Sequence, residues 1–283
     1  MNYRHAFHAG NFADVFKHTI LVDLIESLKV KQTPFCYVET HAGSGRYDLR
    51  GPAASKTREY EDGVVRLLGA TTMPATLHIY LNLVRALNST GIGNDLTSYP
   101  GSPMIASSLM RDDDRALLCE IQPDEARRLK QLYATDARIG VHERDGYAAL
   151  GALLPPRERR GLVLIDPPYE AQGEEFRKIE AAMASAYSRW PTGIYAIWYP
   201  IKLREPTVAL QRWFGREKIA KVLCVELLLH PDNSALRLNG CGMIIVNPPW
   251  KFERKLAELL PVLRRHLSQG RFSQERIEWL TPS

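Results

Sequence analysis

Two stretches of the chain carry one short pattern, an acid or amide followed by two prolines and an aromatic: Asp166-Pro167-Pro168-Tyr169 and Asn247-Pro248-Pro249-Trp250. Consecutive prolines fix φ and hold the backbone extended, so the groups on either side keep a set geometry. Such a geometry suits methylation of an exocyclic aromatic amine. The lone pair of an adenine amine is delocalised into the ring and must be localised before it attacks a methyl carbon, and acceptors on the amine hydrogens favour that change. Asp166 and the Pro167 carbonyl would supply the acceptors, and Tyr169 would stack on a base swung out of its helix or loop.

Three other places carry residues of matching chemistry. In Glu39-Thr40-His41-Ala42-Gly43-Ser44-Gly45-Arg46 the glycines Gly43 and Gly45 allow a tight turn and close approach of backbone to a ligand. The third glycine of a dinucleotide fingerprint is missing, as is the Gly-Lys-Ser/Thr ending of a phosphate-cradling loop. Glu120 closes an apolar run, where a carboxylate can accept from both hydroxyls of a ribose. Asp145, followed by Gly146, can accept from an adenine amino group. Each has a plainer reading, Glu120 as a surface acid at a strand end and Asp145-Gly146 as a turn.

The elements that must position these residues alternate between β-branched apolar runs and helical patterns, the signature of a parallel sheet covered by helices on both faces. Strands are predicted at 35–39, 116–121, 139–142, 162–165, 194–198, 222–229 and 243–246. Seven strands make one doubly wound, mostly parallel sheet, and in such sheets ligands bind beyond the carboxyl ends of the strands. All four candidate positions lie at or just beyond the carboxyl ends of strands. The two Pro-Pro loops separate on topology: the strand before Asp166 is fourth in the parallel series, whereas 243–246 closely follows the sixth strand and is expected to pair with it antiparallel. Asn247 to Trp250 would then face away from the site and serve structure, at an edge that tolerates prolines.

A helix over 13–28, opened by Asn11 or Asp14, is predicted ahead of the sheet. Helices over 60–68 and 77–87, separated by Gly69 and Pro74, are read as an insertion. The expected organisation is a Rossmann-like domain of residues 1–48 and 98–283, interrupted by a helical subdomain of residues 49–97.

At 283 residues, 45% hydrophobic and 24% charged, the chain can bury a sizeable core. Its four cysteines, Cys36, Cys119, Cys224 and Cys241, are widely separated in or beside apolar runs, which suggests neither a metal site nor a disulfide framework. No run approaches the length of a membrane span and the start is too polar for a secretory signal, so a soluble cytoplasmic protein is expected. A net charge of +5 permits a polyanionic partner. Arg4, Lys17, Arg46, Arg157, Arg159, Arg160 and Arg204 are candidate phosphate contacts, although 157–160 reads equally as a solvated loop. His5, His8 and His18 lack the nearby acid or cysteine that would complete a metal site, and no metal is expected.

The chain also resembles a known family, the bacterial 23S ribosomal RNA adenine-N6 methyltransferases of the RlmJ type. The resemblance runs through Tyr3-Arg4-His5-Ala6-Phe7-His8-Ala9-Gly10-Asn11, Ala13-Asp14-Val15, Lys17-His18, Thr40-His41-Ala42-Gly43, Gly45-Arg46-Tyr47, Tyr99-Pro100-Gly101-Ser102-Pro103, Asp166-Pro167-Pro168-Tyr169-Glu170 and Asn247-Pro248-Pro249-Trp250-Lys251, essentially the whole length. The amino-terminal run is distinctive, because nothing in a generic methyltransferase requires it. The resemblance implies S-adenosylmethionine as cofactor, bound by His18, His41, Ser102, Glu120, Asp145, Gly146 and Asp166, with Asp166 in the catalytic loop and Tyr3 near the RNA. It also implies the helical insertion and 23S ribosomal RNA as substrate; a monomer with no membrane partner is expected, acting on RNA that is protein-free or in an early assembly intermediate. Ser44 stands where the family often has alanine, and Cys119 where it has threonine.

Other readings differ in substrate or class. A DNA adenine-N6 methyltransferase or a protein glutamine methyltransferase would use a similar loop on the same fold. A nicotinamide-dependent oxidoreductase would use Gly43 to Gly45 and Glu120, but has no use for Asp166 to Tyr169. A non-catalytic RNA-binding protein on a retired enzyme fold would be expected to have lost the acids at 120, 145 and 166, which are intact.

Overall fold

The structure, a computed structural model, describes residues 4–89, 96–233 and 237–282. After a 3-10 turn at His5–Phe7, helix α1 (Phe12–Lys29) is capped by Asn11, whose Oδ1 accepts from the N–H groups of Ala13 and Asp14 at 3.0 Å. Asn11, not Asp14, is the cap. α1 is buried on nearly every side, and its interior carries the polar residues Asp14, Lys17, His18, Thr19 and Asp23. A helix that sinks this many polar groups must satisfy them by contacts, and those contacts define the site below.

The chain continues through β1 (Cys36–Glu39), β2 (Arg46–Asp48), α2 (Pro52–Thr57), α3 (Val65–Leu68), α4 (Ala75–Asn88), β3 (Ser98–Pro100) and α5 (Ser102–Leu109). Then follow β4 (Arg115–Glu120), α6 (Pro123–Leu132), β5 (Ile139–Glu143), α7 (Gly146–Leu153), β6 (Gly161–Ile165), α8 (Gln172–Arg189) and β7 (Ile194–Ile201). The last elements are α9 (Arg204–Arg216), β8 (Val222–Leu228), β9 (Gly240–Val246), α10 (Phe252–Leu267) and β10 (Gln274–Thr281).

The main sheet has eight strands in the order β10-β8-β9-β7-β6-β1-β4-β5. β1 pairs in parallel with β4 on one side and β6 on the other, so the order reverses at β1/β6 and opens a crevice beyond their carboxyl ends. β9 lies antiparallel between β7 and β8, as expected for the run at 243–246. The eighth strand, β10, was not expected: its pattern QERIEWLT carries three charged residues among eight because it is a partly exposed edge, antiparallel to β8. One core packs α1, α4, α5 and α10 against the sheet, and a second lies on the other face with α8 and α9.

β2 and β3 form a separate two-stranded antiparallel ribbon. Between them, the helix expected over 60–68 shortens to α3. A Cβ on Gly63 would stand 2.0 Å from the Gly10 carbonyl oxygen, so the chain passes here in direct contact with the amino-terminal segment, and Val64 N–H donates to that carbonyl at 2.9 Å. The helix expected over 77–87 is contained in α4.

Candidate active site

Beyond the end of β1 the chain keeps strand-like contacts on both sides. Thr40 N–H donates to the Leu164 carbonyl at 3.1 Å and Ala42 N–H to that of Cys119 at 2.9 Å. It then turns through Gly43 and Gly45 at φ of +60° and +77°, a left-handed region that disfavours any side chain. Glu120, at the end of β4, holds this turn: its carboxylate accepts from Gly43 N–H at 2.8 Å and Gln122 N–H at 2.7 Å. A carboxylate has about four acceptor sites, so capacity remains for a ligand's hydroxyls. Burial pushes Glu120 up from the ordinary carboxylate range and its backbone donors pull against that shift.

Ser102, at the start of α5, donates to Glu39, which also accepts from Tyr37 Oη at 2.8 Å. Glu39 is completely buried, and burial pushes its carboxyl up to about 8. It is therefore mostly protonated at neutral pH, a neutral strut behind the Gly-rich loop. His18, on α1, shares a 2.7 Å hydrogen bond between Nδ1 and Tyr99 Oη, which in turn meets Tyr80 Oη at 2.9 Å. Its Nε2 is buried without a hydrogen-bond partner among the described residues, and burial pushes the imidazole down to about 3, hence neutral.

Past β5, Asp145 caps α7, accepting from Tyr147 N–H at 2.9 Å through Oδ1. Its Oδ2 makes no hydrogen bond among the described residues. A Cβ on Gly146 would lie 2.0 Å from the Thr40 carbonyl oxygen, so glycine is what lets α7 start against the end of β1. His41, Asp145, Gly146, Tyr147, Pro168 and Glu175 are among the residues lining a cleft of about 130 Å³. His41 Nδ1 meets Thr40 Oγ1 at 2.8 Å, its ring sits edge-on to Tyr147 at 4.9 Å, and burial pushes it down to about 4. Glu120, Ser102 and His18 do not line this cleft; they brace the loop and helix behind it.

Asp166 follows β6 directly, and its Oδ2 accepts from Lys17 Nζ at 2.6 Å. Lys17 Nζ also lies 2.9 Å from Asp14 Oδ1, while Asp14 Oδ2 pairs with His5 Nε2 and accepts Gly10 N–H, both at 2.9 Å. Lys17 is buried, and its two carboxylates hold its pKa well above the usual lysine value against the pull of burial. Asp14 is held well below its ordinary range by His5 and Lys17 despite burial. A chain of charges thus runs from the amino-terminal segment to the Asp-Pro-Pro loop, leaving Asp166 Oδ1 without a hydrogen bond among the described residues. Lys17 is therefore not a phosphate contact, and neither is Arg204, which pairs with Glu226 at 2.7 Å and Asp232 at 2.6 Å.

Tyr169 differs from its expected role. Its ring, at φ of +50°, is buried against Phe176 and Trp198 at 5.8 and 5.7 Å, and its hydroxyl donates to the Trp198 carbonyl. The apolar layer under the loop outcompetes an exposed position, so the ring offers no open face to a base and instead pins the loop from below. Tyr3 lies outside the described residues. The rest of the amino-terminal run is anchored: beside the His5–Asp14 contact, His8 Nδ1 lies 3.0 Å from Glu59, and Asn11 Nδ2 donates to the same carboxylate at 2.9 Å. His5, His8 and His18 thus engage three different partners.

Lys17 as partner of Asp166, and Glu39 as partner of Ser102, escaped the sequence reading. The i,i+3 spacing of Asp14 and Lys17 was visible, but nothing local joins them to a residue beyond β6.

A sheet reversing at β1/β6, a glycine turn after β1, acids at the carboxyl ends of β4 and β5 and Asp-Pro-Pro-Tyr after β6 define a class I, Rossmann-like methyltransferase. A family model described as "Ribosomal RNA large subunit methyltransferase D, RlmJ" matches residues 32–281, and the chain belongs to this family. It is 41% identical over 282 residues to "Ribosomal RNA large subunit methyltransferase J" of Escherichia coli K12, covering 100% of this chain and 99% of that protein. It is 40% identical to the protein of the same name in Haemophilus influenzae, with the same coverage. The crystal structure of a Legionella pneumophila protein, 36% identical, superposes with a TM-score of 0.87 over 96% of this chain and 98% of that one.

Proposed function

We propose that this protein transfers a methyl group from S-adenosylmethionine to the N6 amine of one adenine in 23S ribosomal RNA. The observation that carries the reading is the Asp166 loop at the reversal point of the sheet, with one carboxylate oxygen held by Lys17 and the other left open. Family membership and full-length similarity to two ribosomal RNA large subunit methyltransferases favour RNA over DNA as the substrate.

The residues present suit the cofactor. Glu120 has acceptor sites left for the ribose hydroxyls, Asp145 Oδ2 is open to an adenine amino group, and His18 Nε2 is a buried polar atom in want of a partner. Gly146 and His41 shape the cleft wall, and Ser102 holds Glu39 behind the loop. When bound, the sulfonium supplies an electrophilic methyl carbon, so no metal is called for.

Asp166 Oδ1 and the Pro167 carbonyl accept hydrogen bonds from the two amine hydrogens, which draws the nitrogen lone pair out of the ring and aims it at the methyl carbon. Pro167 and Pro168 hold those acceptors at a fixed separation, and Tyr169 locks the loop from beneath. Lys17 balances the carboxylate charge in a buried setting. The proton shed by the methylated amine passes to solvent, since Asp166 acts as an acceptor and not as a strong base. Positioning carries much of the rate.

Residues 49–97, between the β2 and β3 strands that pair as a neck, form an inserted helical subdomain on the domain made by 1–48 and 98–283. Tyr3, two residues before His5 in the sequence, is read as a contact to RNA. We take the working protein to be a cytoplasmic monomer that acts on protein-free RNA or an early assembly intermediate; no helix among the described residues is long and apolar enough to cross a membrane.

The test is to incubate the protein with labelled S-adenosylmethionine and protein-free 23S ribosomal RNA from cells lacking the enzyme, then digest and identify the labelled nucleoside. N6-methyladenosine at one site is expected. Label in DNA and none in RNA would replace the substrate with DNA.

A further inference from the structure

Apart from the cleft beside Asp145 and Pro168, an open groove of about 720 Å³ runs between the β2–β3 ribbon and α6. We infer that this groove is a track for the phosphate backbone of the substrate RNA, an inference that rests on the RNA-methyltransferase reading above. Its walls carry Arg46 and Arg50 on one side and Arg128 and Gln131 on the other, with Ser44 between them. The lining includes one carboxylate, Asp48, which accepts the Arg50 backbone N–H at 2.9 Å, so three positive charges stand against one negative.

The three guanidinium charges are poorly compensated. Arg46 donates to the neutral Ser98 hydroxyl at 2.9 and 3.3 Å, which orients the group without cancelling its charge. Arg50 has no ion pair among the described residues. Arg128 makes one 3.3 Å contact with Glu125 and keeps a side chain 67% exposed. Planar, multiply donating guanidinium groups facing an open trough match phosphate oxygens.

The groove also adjoins the Gly-rich turn. Ser44 lies between Gly43, whose N–H is held by Glu120, and Gly45, against which α6 closes: a Cβ there would lie 2.8 Å from Leu132 Cδ2. The floor of the groove is therefore the outer surface of the turn whose inner surface faces the candidate cofactor site. Three arginines would repel a cationic sulfonium, so the cofactor is a poor occupant, whereas a polyanion is a good one.

Three of the other basic candidates named from the sequence lie in 157–160, and two more are Lys17 and Arg204. Lys17 and Arg204 are neutralised, and 157–160 precedes β6, at the opposite edge of the sheet from Asp166.

The test compares wild type, an Arg50→Gln/Arg128→Gln variant and an Arg157→Gln/Arg159→Gln variant of equal charge. Binding of a fluorescein-labelled 23S ribosomal RNA transcript is measured across a series of KCl concentrations, with S-adenosylmethionine affinity followed by calorimetry. Each lost phosphate contact lowers the slope of log K against log salt by about 0.7 to 0.9. The groove variant should therefore lose a slope of about 1.5 and bind roughly 30-fold more weakly at 0.1 M salt, with cofactor affinity unchanged. The control variant should keep the wild-type slope. A groove variant with wild-type slope, or a control that loses as much, overturns the inference while RNA methylation by the wild type stands. A wild type that neither binds nor methylates RNA defeats the underlying reading and the groove with it.

Discussion

The loops Asp166-Pro167-Pro168-Tyr169 and Asn247-Pro248-Pro249-Trp250 are nearly the same peptide on two strands of one sheet, and their surroundings could hardly differ more. β6 runs parallel to β1 and delivers Asp166 to the crevice, where its carboxylate meets a buried ammonium. β9 runs antiparallel to β7, and Val246 pairs with Tyr195, so Asn247 emerges beside the amino end of β7. There its side-chain amide donates to the carbonyls of Pro191 and Gly193, both at 2.8 Å, and Trp250 is left 88% exposed. Strand direction, not local sequence, decides which loop can do chemistry.

The largest effect should come from Asp166→Ala, which removes an acceptor from the amine: kcat should fall about 10²- to 10³-fold in a single-turnover methylation assay. Asp166→Asn keeps a carbonyl acceptor and should retain part of the activity; full wild-type activity in either variant would dissolve the distinction between the loops. Lys17→Ala leaves Asp14 and Asp166 without their shared cation and should cost about 3–5 kcal/mol in urea unfolding. A loss under 1 kcal/mol would mean that the buried charges are satisfied some other way.

At the same edge, the Glu39 carboxyl is raised from 4.5 to about 8 by burial. Its folded-state pKa exceeds the unfolded one, so its contribution to stability is complete below pH 4.5 and is lost as pH rises towards 8. Thermal melts should therefore fall by several degrees between pH 5 and pH 8.5 for the wild type, and Glu39→Gln should flatten that fall. An unchanged slope in the variant would mean that Glu39 is not the titrating group.

On the far loop, Asn247→Ala removes two hydrogen bonds at a left-handed residue (φ +52°) and should cost about 1–2 kcal/mol in stability, with kcat within twofold of wild type. Trp250→Ala, at an exposed ring in contact with the Lys251 ammonium 5.6 Å away, should change stability by less than about 0.5 kcal/mol. A large loss of methylation in either would give the second loop a functional share that its topology denies it.

The sequence announced the parts of this site that are local and hid those that are not. A glycine turn, an acid at a strand end and a rigid Pro-Pro unit are written in consecutive residues, and strand order alone assigned their edge. β10 was missed because an edge strand exposed on one side has no need of the apolar run that marked the others. The helical pattern over 60–68 yields only α3, because Gly63 must touch the Gly10 carbonyl, a contact between distant segments. Tyr169 was expected to face a base because aromatic residues beside such loops suit stacking; which way a ring turns depends on what lies beneath it, and Phe176 and Trp198 come from other elements. The pairing of Lys17 with Asp166 joins residues 149 apart and leaves no local mark.

The central position of β1 bears on how the protein is made. Cys36 pairs with Arg115 on one flank and Gly161 on the other, so the strand at the heart of the sheet leaves the ribosome long before either neighbour exists. Local contacts cannot nucleate that sheet; it must wait for distant partners, which slows folding and lengthens the time that apolar edges stay open. The buried ammonium of α1 waits with it, held meanwhile by Asp14 on the same helix. Nascent chains arrested before β6 should thus lack both the middle of the sheet and the carboxylate that completes the charge chain, so that catalytic competence arrives together with the closing of the core.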